Sequence, residues 1–190
     1  MRNSGLQKGF IFLLGCAAIA VAVYFGYINR NTSSSEEVLA IGEVQDILML
    51  DLENHYPPTA REVVNCFCRI YKALYGENAS AEQVSQMGAM LLQLYDPELV
   101  NNQVDYDMSL SQEVNRKKKD GYTISTYRVQ SASEILTKHV DDNELAYVSC
   151  MITMRKGSQL SATEYLFVLR LDEEDSRWKI FGWTVTDDDE

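Results

Sequence analysis

Few residues in this 190-residue chain could carry chemistry. His55 and His139 are its two imidazoles, the side chains that titrate near neutrality. His55 stands just before Tyr56-Pro57-Pro58, and His139 lies beside Asp141-Asp142. Neither has a nucleophile or a metal ligand at a diagnostic spacing, so no catalytic residue is assigned. Four cysteines remain. Cys16 sits in an apolar run. Cys66 and Cys68 are two apart on a predicted helix, which points them about 200° apart and keeps them from bridging each other. Cys150 is on the core face of a predicted strand, where one helical cysteine could meet it. Cys-x-Cys on a helix is not a zinc motif. A disulfide, a metal site and plain buried thiols are the three readings, and buried thiols acting as small apolar groups are the expectation.

The clustered carboxylates of Asp172–Asp175 and Asp187–Glu190 lack the ligand spacing and the glycine of a calcium loop, and read as a solvated turn and an acidic tail. Arg116-Lys117-Lys118-Lys119 suits the last turn of a helix, where cations meet the dipole. No metal and no cofactor is expected. The aromatic residues are more suggestive. Tyr127, Tyr147, Tyr165, Trp178 and Trp183 recur along the strand-like C-terminal part. A sheet face left open by the core can hold a pocket, and Tyr127, Tyr147, Tyr165 and Trp183 are the candidate lining residues. Ordinary packing is the plainer reading of the same rings.

The elements that would position these residues are set by periodicity. Val38–Asn54 has helical spacing at Ile41, Val44, Ile47, Leu48 and Leu52. Pro57 and Pro58 stop it. Thr59 with Glu62 reads as a capping box, followed by Val63, Val64, Phe67, Ile70, Tyr71 and Leu74, and closed by Gly76. Ser80 with Gln83 opens another helix whose apolar face is Val84, Met87, Leu91, Leu94 and Tyr95. Asp96-Pro97 starts a brief turn of helix. A last short helix runs from Ser109 to Lys119, stopped by Gly121. From Tyr122 the period becomes two. Thr123–Lys138 is strand-like, and Leu145–Arg155 is a strand with Ala146, Val148, Cys150, Ile152 and Met154 on one face. After a turn at Lys156-Gly157, Thr163–Leu171 is a central strand and Trp178–Thr186 the last one, with Gly182 able to bend it. Helices first and a meander of strands afterwards predict an α+β fold, with helices packed on one face of a curved antiparallel sheet.

Charge divides the chain. It carries 28 Asp and Glu against 17 Lys and Arg, a net −11. Arg2, Lys8 and Arg30 are the only charged side chains before Glu36, so the acid excess falls on the chain from Glu36 onward. Such a field disfavours nucleic acid and anionic lipid. From Gly9 to Ile28 the chain reads GFIFLLGCAAIAVAVYFGYI, 20 residues without a charge, enough for a helix to span a hydrocarbon core of about 30 Å. Arg2, Lys8 and the amino terminus precede it, which places the N-terminus in the cytoplasm and the remainder outside. A cleaved signal peptide would have a shorter apolar core and a small-residue exit, and a lipidated cysteine at Cys16 would close the apolar run rather than interrupt it. The expected organisation is a cytoplasmic N-terminus at 1–8, a transmembrane helix at 9–28, a flexible tether at 29–37, an extracytoplasmic α+β domain at 38–186 and an acidic tail at 187–190. The expected location is the cell membrane, crossed once.

The order of elements, closing on Trp178-Lys179-Ile180-Phe181-Gly182-Trp183, resembles the cone of the nuclear transport factor 2-like superfamily over about residues 59–186. Asp51-Leu52-Glu53-Asn54, Tyr56-Pro57-Pro58-Thr59, Arg61-Glu62-Val63-Val64, Leu94-Tyr95-Asp96 and the final Trp-Lys-Ile together resemble an uncharacterised family of single-pass membrane proteins from anaerobic Gram-positive gut bacteria. The resemblance implies a bacterial cell-surface setting and carries over no site residues. The expected function is a non-enzymatic, membrane-anchored module that binds a protein partner or a small ligand. Such cones often pair through their sheets, so a homodimer is among the expectations. Two alternatives stand beside it: an enzyme like the SnoaL-like cyclases and ketosteroid isomerases, which need a carboxylate or histidine base in a dry aromatic cone, and a scaffold subunit of a secretion or conjugation apparatus.

Deletion of residues 9–28 should move the protein from the alkali-washed membrane pellet to the soluble fraction. Retention in the pellet would refute the anchor.

Overall fold

The computed structural model describes residues 42–76 and 79–186. The transmembrane, tether and tail segments expected at 1–37 and 187–190 lie outside the described residues. Among those described, no helix is long and apolar enough to cross a membrane.

The chain is helical over residues 42–48 (α1), with Val44 and Ile47 buried. Helix α2 (Ala60–Leu74) starts at Thr59, whose hydroxyl accepts the Glu62 N–H. The same hydroxyl donates to the Glu62 carboxylate at 3.0 Å, so the reciprocal half of a capping box is not made. Helix α3 (Ala81–Leu94) has the full box: Ser80 accepts from Gln83 N–H while the Gln83 side chain accepts from Ser80 N–H. A short α4 (Pro97–Asn101) is capped by Asp96. Helix α5 runs Tyr106–Lys119. It begins at Tyr106, three residues before the expected Ser109, and its N-cap Asp105 has a left-handed backbone (φ 50°) and makes no side-chain cap bond. With no cap to read, the start was invisible to capping rules.

The strands are β1 (Tyr122–Val129), β2 (Leu136–Val140), β3 (Asn143–Lys156), β4 (Gln159–Leu171) and β5 (Trp178–Val185), all paired antiparallel. The stretch expected as one strand, Thr123–Lys138, is two. Both β1 and β2 pair with the same edge of β3, joined by a 3-10 turn at Ala132–Glu134. Gln130 carries the break: its side chain accepts from Ser149 N–H and donates to Glu134 carbonyl, bridging the gap a continuous strand would fill. On β5, Phe181 is an extra residue between Ile180 and Gly182, a bulge beside the glycine expected to bend the strand. One face of the sheet presents Ile124, Val129, Ala146, Val148, Cys150, Ile152, Phe167, Leu169 and Ile180, all buried. Against it lie Val63, Val64, Phe67, Cys68, Ile70 and Leu74 of α2, so the structure is α+β with helices on one sheet face.

Asp96 is the one charged residue fully buried among those described, at 3% exposure. Its carboxylate takes both forks of Arg170, the Nε at 2.8 Å, and caps Glu98 N–H at 2.9 Å. Its own N–H donates to Ile180 carbonyl at 2.9 Å. Three elements, α4, β4 and β5, thus meet on one residue, through its side chain and its backbone N–H, and Arg170 also lies 4.7 Å over the Phe181 ring at the bulge. The hydrogen bond from Arg170 to Asp96 holds the guanidinium even further above neutrality than usual. Asp96→Ala should lower stability by about 3 kcal/mol, because it removes a cap and leaves a partly buried guanidinium with only the more exposed Glu98 carboxylate, 3.4 Å away. Asp96→Asn should cost less. Urea midpoints at unchanged slope check this, and a loss under about 1 kcal/mol would mark the pair as no better than a surface one.

Candidate functional site

Helix α2 carries three rings at four-residue spacing, which stacks them along one face. Phe67 and Tyr71 are stacked at 5.2 Å, and Tyr71 meets Tyr75 edge-on at 4.9 Å. Phe167 of β4 and Trp183 of β5 are register partners on the helix-covered face. Both reach Phe67, with ring centroids at 5.2 and 5.6 Å. Tyr95, just after α3, closes the group at 5.8 Å from Trp183. Helix α5 supplies Tyr106, Leu110 and Glu113, which share a face because they are four and three residues apart. Gly88 of α3 lets α5 come close: a Cβ there would stand 2.8 Å from a Leu110 methyl and 3.6 Å from the Tyr106 ring.

Between these elements is a cleft of about 200 Å³, lined chiefly by Tyr71, Tyr95, Tyr106, Glu113 and Trp183. Trp183 is its open wall, 42% exposed although it lies on the core face. The polar groups form an ordered chain. Tyr75 hydroxyl donates to Glu113 Oε1 at 2.6 Å, and Tyr71 and Tyr75 hydroxyls are 3.1 Å apart. A phenol has one proton to give, so Tyr71 donates to Tyr75 and Tyr75 to the carboxylate. Burial pushes the Tyr71 phenol up to about 12, and it raises Tyr75, Tyr95 and Tyr106 as well. Near neutral pH these phenols are donors and not bases. Tyr106 hydroxyl is buried and has no hydrogen-bond partner among the described residues. The Tyr95 phenol stands close enough for a weak polar contact that raises Tyr95 further and offsets part of the rise of Tyr106, although the two hydroxyls fall short of full hydrogen-bonding geometry. A group in that state costs about 1–3 kcal/mol.

The residues expected to line one pocket are distributed over three places. Trp183 is in the cleft. Tyr165 shares its sheet face, half-buried opposite Cys150 and Val185. Tyr127 is also on that face but lines a separate hollow with Ile47, Arg69 and Lys72. Tyr147 faces the other way, between Leu136 and Val168, with the Lys138 ammonium 5.5 Å over its ring. Period two requires this, since Ala146 and Val148 on either side of it point into the core. Trp178 packs partly against the core, its carbonyl accepting from Tyr56 hydroxyl at 2.8 Å. His55 and His139 are exposed, His55 3.7 Å from Asp51. Among the described residues no cluster of His, Cys, Asp or Glu is placed to hold a metal ion. The site residues that sequence reasoning passed over are Tyr75, Tyr106 and Glu113, together with Tyr71 and Tyr95, which it read only as apolar helix positions. A signal existed: Glu113 falls between Leu110 and Val114, the two buried positions of α5, in line with Tyr106.

Tyr106→Phe should leave stability unchanged or raise it by up to about 1 kcal/mol, because it deletes an unsatisfied hydroxyl. Tyr75→Phe should lower it by about 1.5–3 kcal/mol, because it breaks a bond to a charged group. Thermal unfolding of the two variants side by side reads the difference. Equal losses would mean that Tyr106 has a partner, with Tyr95 the nearest phenol to supply it.

Comparison with known proteins gives little functional guidance. No curated protein matches the chain. Among solved structures, the intermembrane space region of the chloroplast protein ARC6 superposes with a TM-score of 0.37 at 15% identity, over 69% of this chain and 96% of that one. That likeness is too loose to argue from. Residues 1–183 match the model of a family described as a domain of unknown function, DUF6715. Since the match takes in nearly the whole length, the chain belongs to that family.

Proposed function

We propose that this chain is a single-pass, membrane-anchored binding module, displayed outside the cell on a nuclear transport factor 2-like cone, whose cleft takes one small ring-shaped ligand. The observation that carries the binding reading is a cleft walled by aromatic rings and the Glu113 carboxylate, with the unpartnered Tyr106 hydroxyl buried in its wall. Native structures leave few such groups, and a small shift of the wall would let a ligand acceptor satisfy it. Glu113 Oε2 is the complementary acceptor, Oε1 being held by Tyr75. An apolar cavity of about 150 Å³ is enough for a benzene-sized guest, so about 200 Å³ suits a single substituted ring. The acidic field and Glu113 favour a neutral or cationic ligand over an anionic one. The anchor at residues 9–28 and the polar tether at 29–37 support display at a membrane surface.

A second reading, a cyclase- or isomerase-like enzyme, is favoured by one observation: a carboxylate stands in an aromatic-lined cleft beside Trp183. It would use Glu113 as base. Its phenol partners stay protonated, so the proton would have no second acceptor among them.

The test is binding of a panel of single-ring aromatic amides and amines, read by Trp183 emission in a Trp178→Phe background and by native mass spectrometry of the detergent-purified full chain. Tyr106→Phe should weaken the best binder about tenfold, the value of one well-made hydrogen bond, while leaving the protein at least as stable. That split between affinity and stability distinguishes a ligand-facing hydroxyl from a structural one. Undiminished affinity in both Tyr106→Phe and Trp183→Ala would sink the reading, and chemical turnover dependent on Glu113 would favour the enzyme.

A further inference from the structure

Cys68 on α2 and Cys150 at the middle of β3 have their sulfurs 3.4 Å apart, although they are 82 residues apart in sequence. They are 2% and 0% exposed. We infer that they are a disulfide-forming pair, a covalent modification site that joins helix α2 to the centre of the sheet and is oxidised by a low-molecular-weight disulfide. The inference is independent of the cleft: it rests on the packing of α2, and either reading can fail alone.

The geometry is selective. Cys150 is paired on both sides, to Val129 of β1 and Tyr165 of β4, so its position is fixed by two neighbouring strands. Cys68 is fixed by an apolar stripe in which Val64 and Ile70 are fully buried. Closing the gap to a covalent S–S length of about 2.05 Å needs rotation about the Cα–Cβ bonds and a small approach of the helix. Cys66, two residues earlier, points about 200° away around the helix and is out of reach of Cys150. Two of the three described cysteines are thus matched and the third is not.

The chemistry balances without a metal. A thiolate attacks the small disulfide RS–SR, forming a protein–SR mixed disulfide and releasing one RS⁻. The second protein thiolate attacks the protein sulfur of that intermediate, forming the Cys68–Cys150 bond and releasing the second RS⁻. The two protein thiol protons end on the two released thiols, and the small disulfide is reduced by the two electrons the cysteines give up. In the folded pair the hydrogen bond between the sulfurs lowers the Cys150 thiol and raises that of Cys68; before the two meet, either thiolate can attack first. In the folded state neither sulfur is accessible, so exchange takes place before α2 settles on the sheet, and the redox state set at that time is retained.

The experiment refolds the full chain from urea into detergent, once in reductant and once in a buffer of reduced and oxidised glutathione, followed by alkylation, intact mass and non-reducing peptide mapping. The expected product is about 2 Da lighter than the reduced protein before alkylation and carries two fewer alkyl groups after it, with a Cys68–Cys150 linked peptide, an alkylated Cys66 and a raised Tm that falls on reduction. Cys66→Ser should keep the link, and Cys68→Ser and Cys150→Ser should each abolish it. Protein first folded in reductant should oxidise at least about tenfold more slowly than refolding protein, because oxidation then waits for local opening. Alkylation of both Cys68 and Cys150 after refolding in glutathione, a link through Cys66, or a glutathione adduct that never closes would each overturn the inference, and the peptide map of the unmutated chain decides it even if a serine variant does not fold.

Discussion

Helix α2 lays Val63, Val64, Phe67, Ile70 and Leu74 on the sheet, each at most 3% exposed. Full burial of a side chain of this size contributes about 1.5–3 kcal/mol, so this stripe alone is comparable to the whole net stability of a typical domain. The consequences run in two directions. Toward β3, the same docking brings Cys68 onto Cys150. Toward α5, it aims the ladder of Phe67, Tyr71 and Tyr75 at Glu113 and Trp183.

The cleft exists because the sheet extends beyond its helical cover. On β4 and β5 the covered face is buried at Phe167, Leu169 and Ile180, while Tyr165 is only half-buried and Trp183 and Val185 are exposed. Helix α5 approaches this end over Gly88 without closing it. Two carboxylates show how differently the fold treats the same group. Asp96 is sealed in, with both oxygens held by Arg170 and a cap bond besides. Such full satisfaction marks a structural role. Glu113 has one oxygen tied to Tyr75 and stands at the edge of a cleft next to a hydroxyl with nothing to bond. Incomplete satisfaction beside empty space is what a binding site needs.

Much of the fold was legible because each element announces itself by local chemistry. Ser80 with Gln83, the proline after Asp96, and the alternation from Ala146 to Ile152 are signals whose physical cause acts within a few residues. The start of α5 was not legible, since Asp105 begins it by backbone conformation and not by a cap. Neither was the break between β1 and β2, which depends on Gln130 reaching a residue of a strand 19 positions on. The cleft was least legible of all. Its rings come from two helices, a helix end and one strand, and only packing decides which of them meet. Tyr147 shows the limit from the other side: aromatic recurrence grouped it with Tyr127, Tyr165 and Trp183, whereas strand parity alone separates it from them.

The choice between binding and catalysis turns on protons. A general base must exchange a proton at working pH, and an imidazole is the side chain best poised to do so. The two imidazoles of this chain, His55 and His139, are exposed and lie outside the cleft. The cleft instead holds phenols that burial keeps protonated well above neutrality, arranged to donate one after another toward a single carboxylate. That chain has a fixed direction, with donors at one end and one acceptor at the other, and its phenols stay protonated through the range in which an imidazole would change. On the proposed reading such an arrangement would recognise a guest by ring shape and by the placement of its donor and acceptor, with Glu113 the one carboxylate lining the cleft among the described residues. This is why the unpartnered Tyr106 hydroxyl weighs more toward a bound ligand than Glu113 weighs toward a reaction.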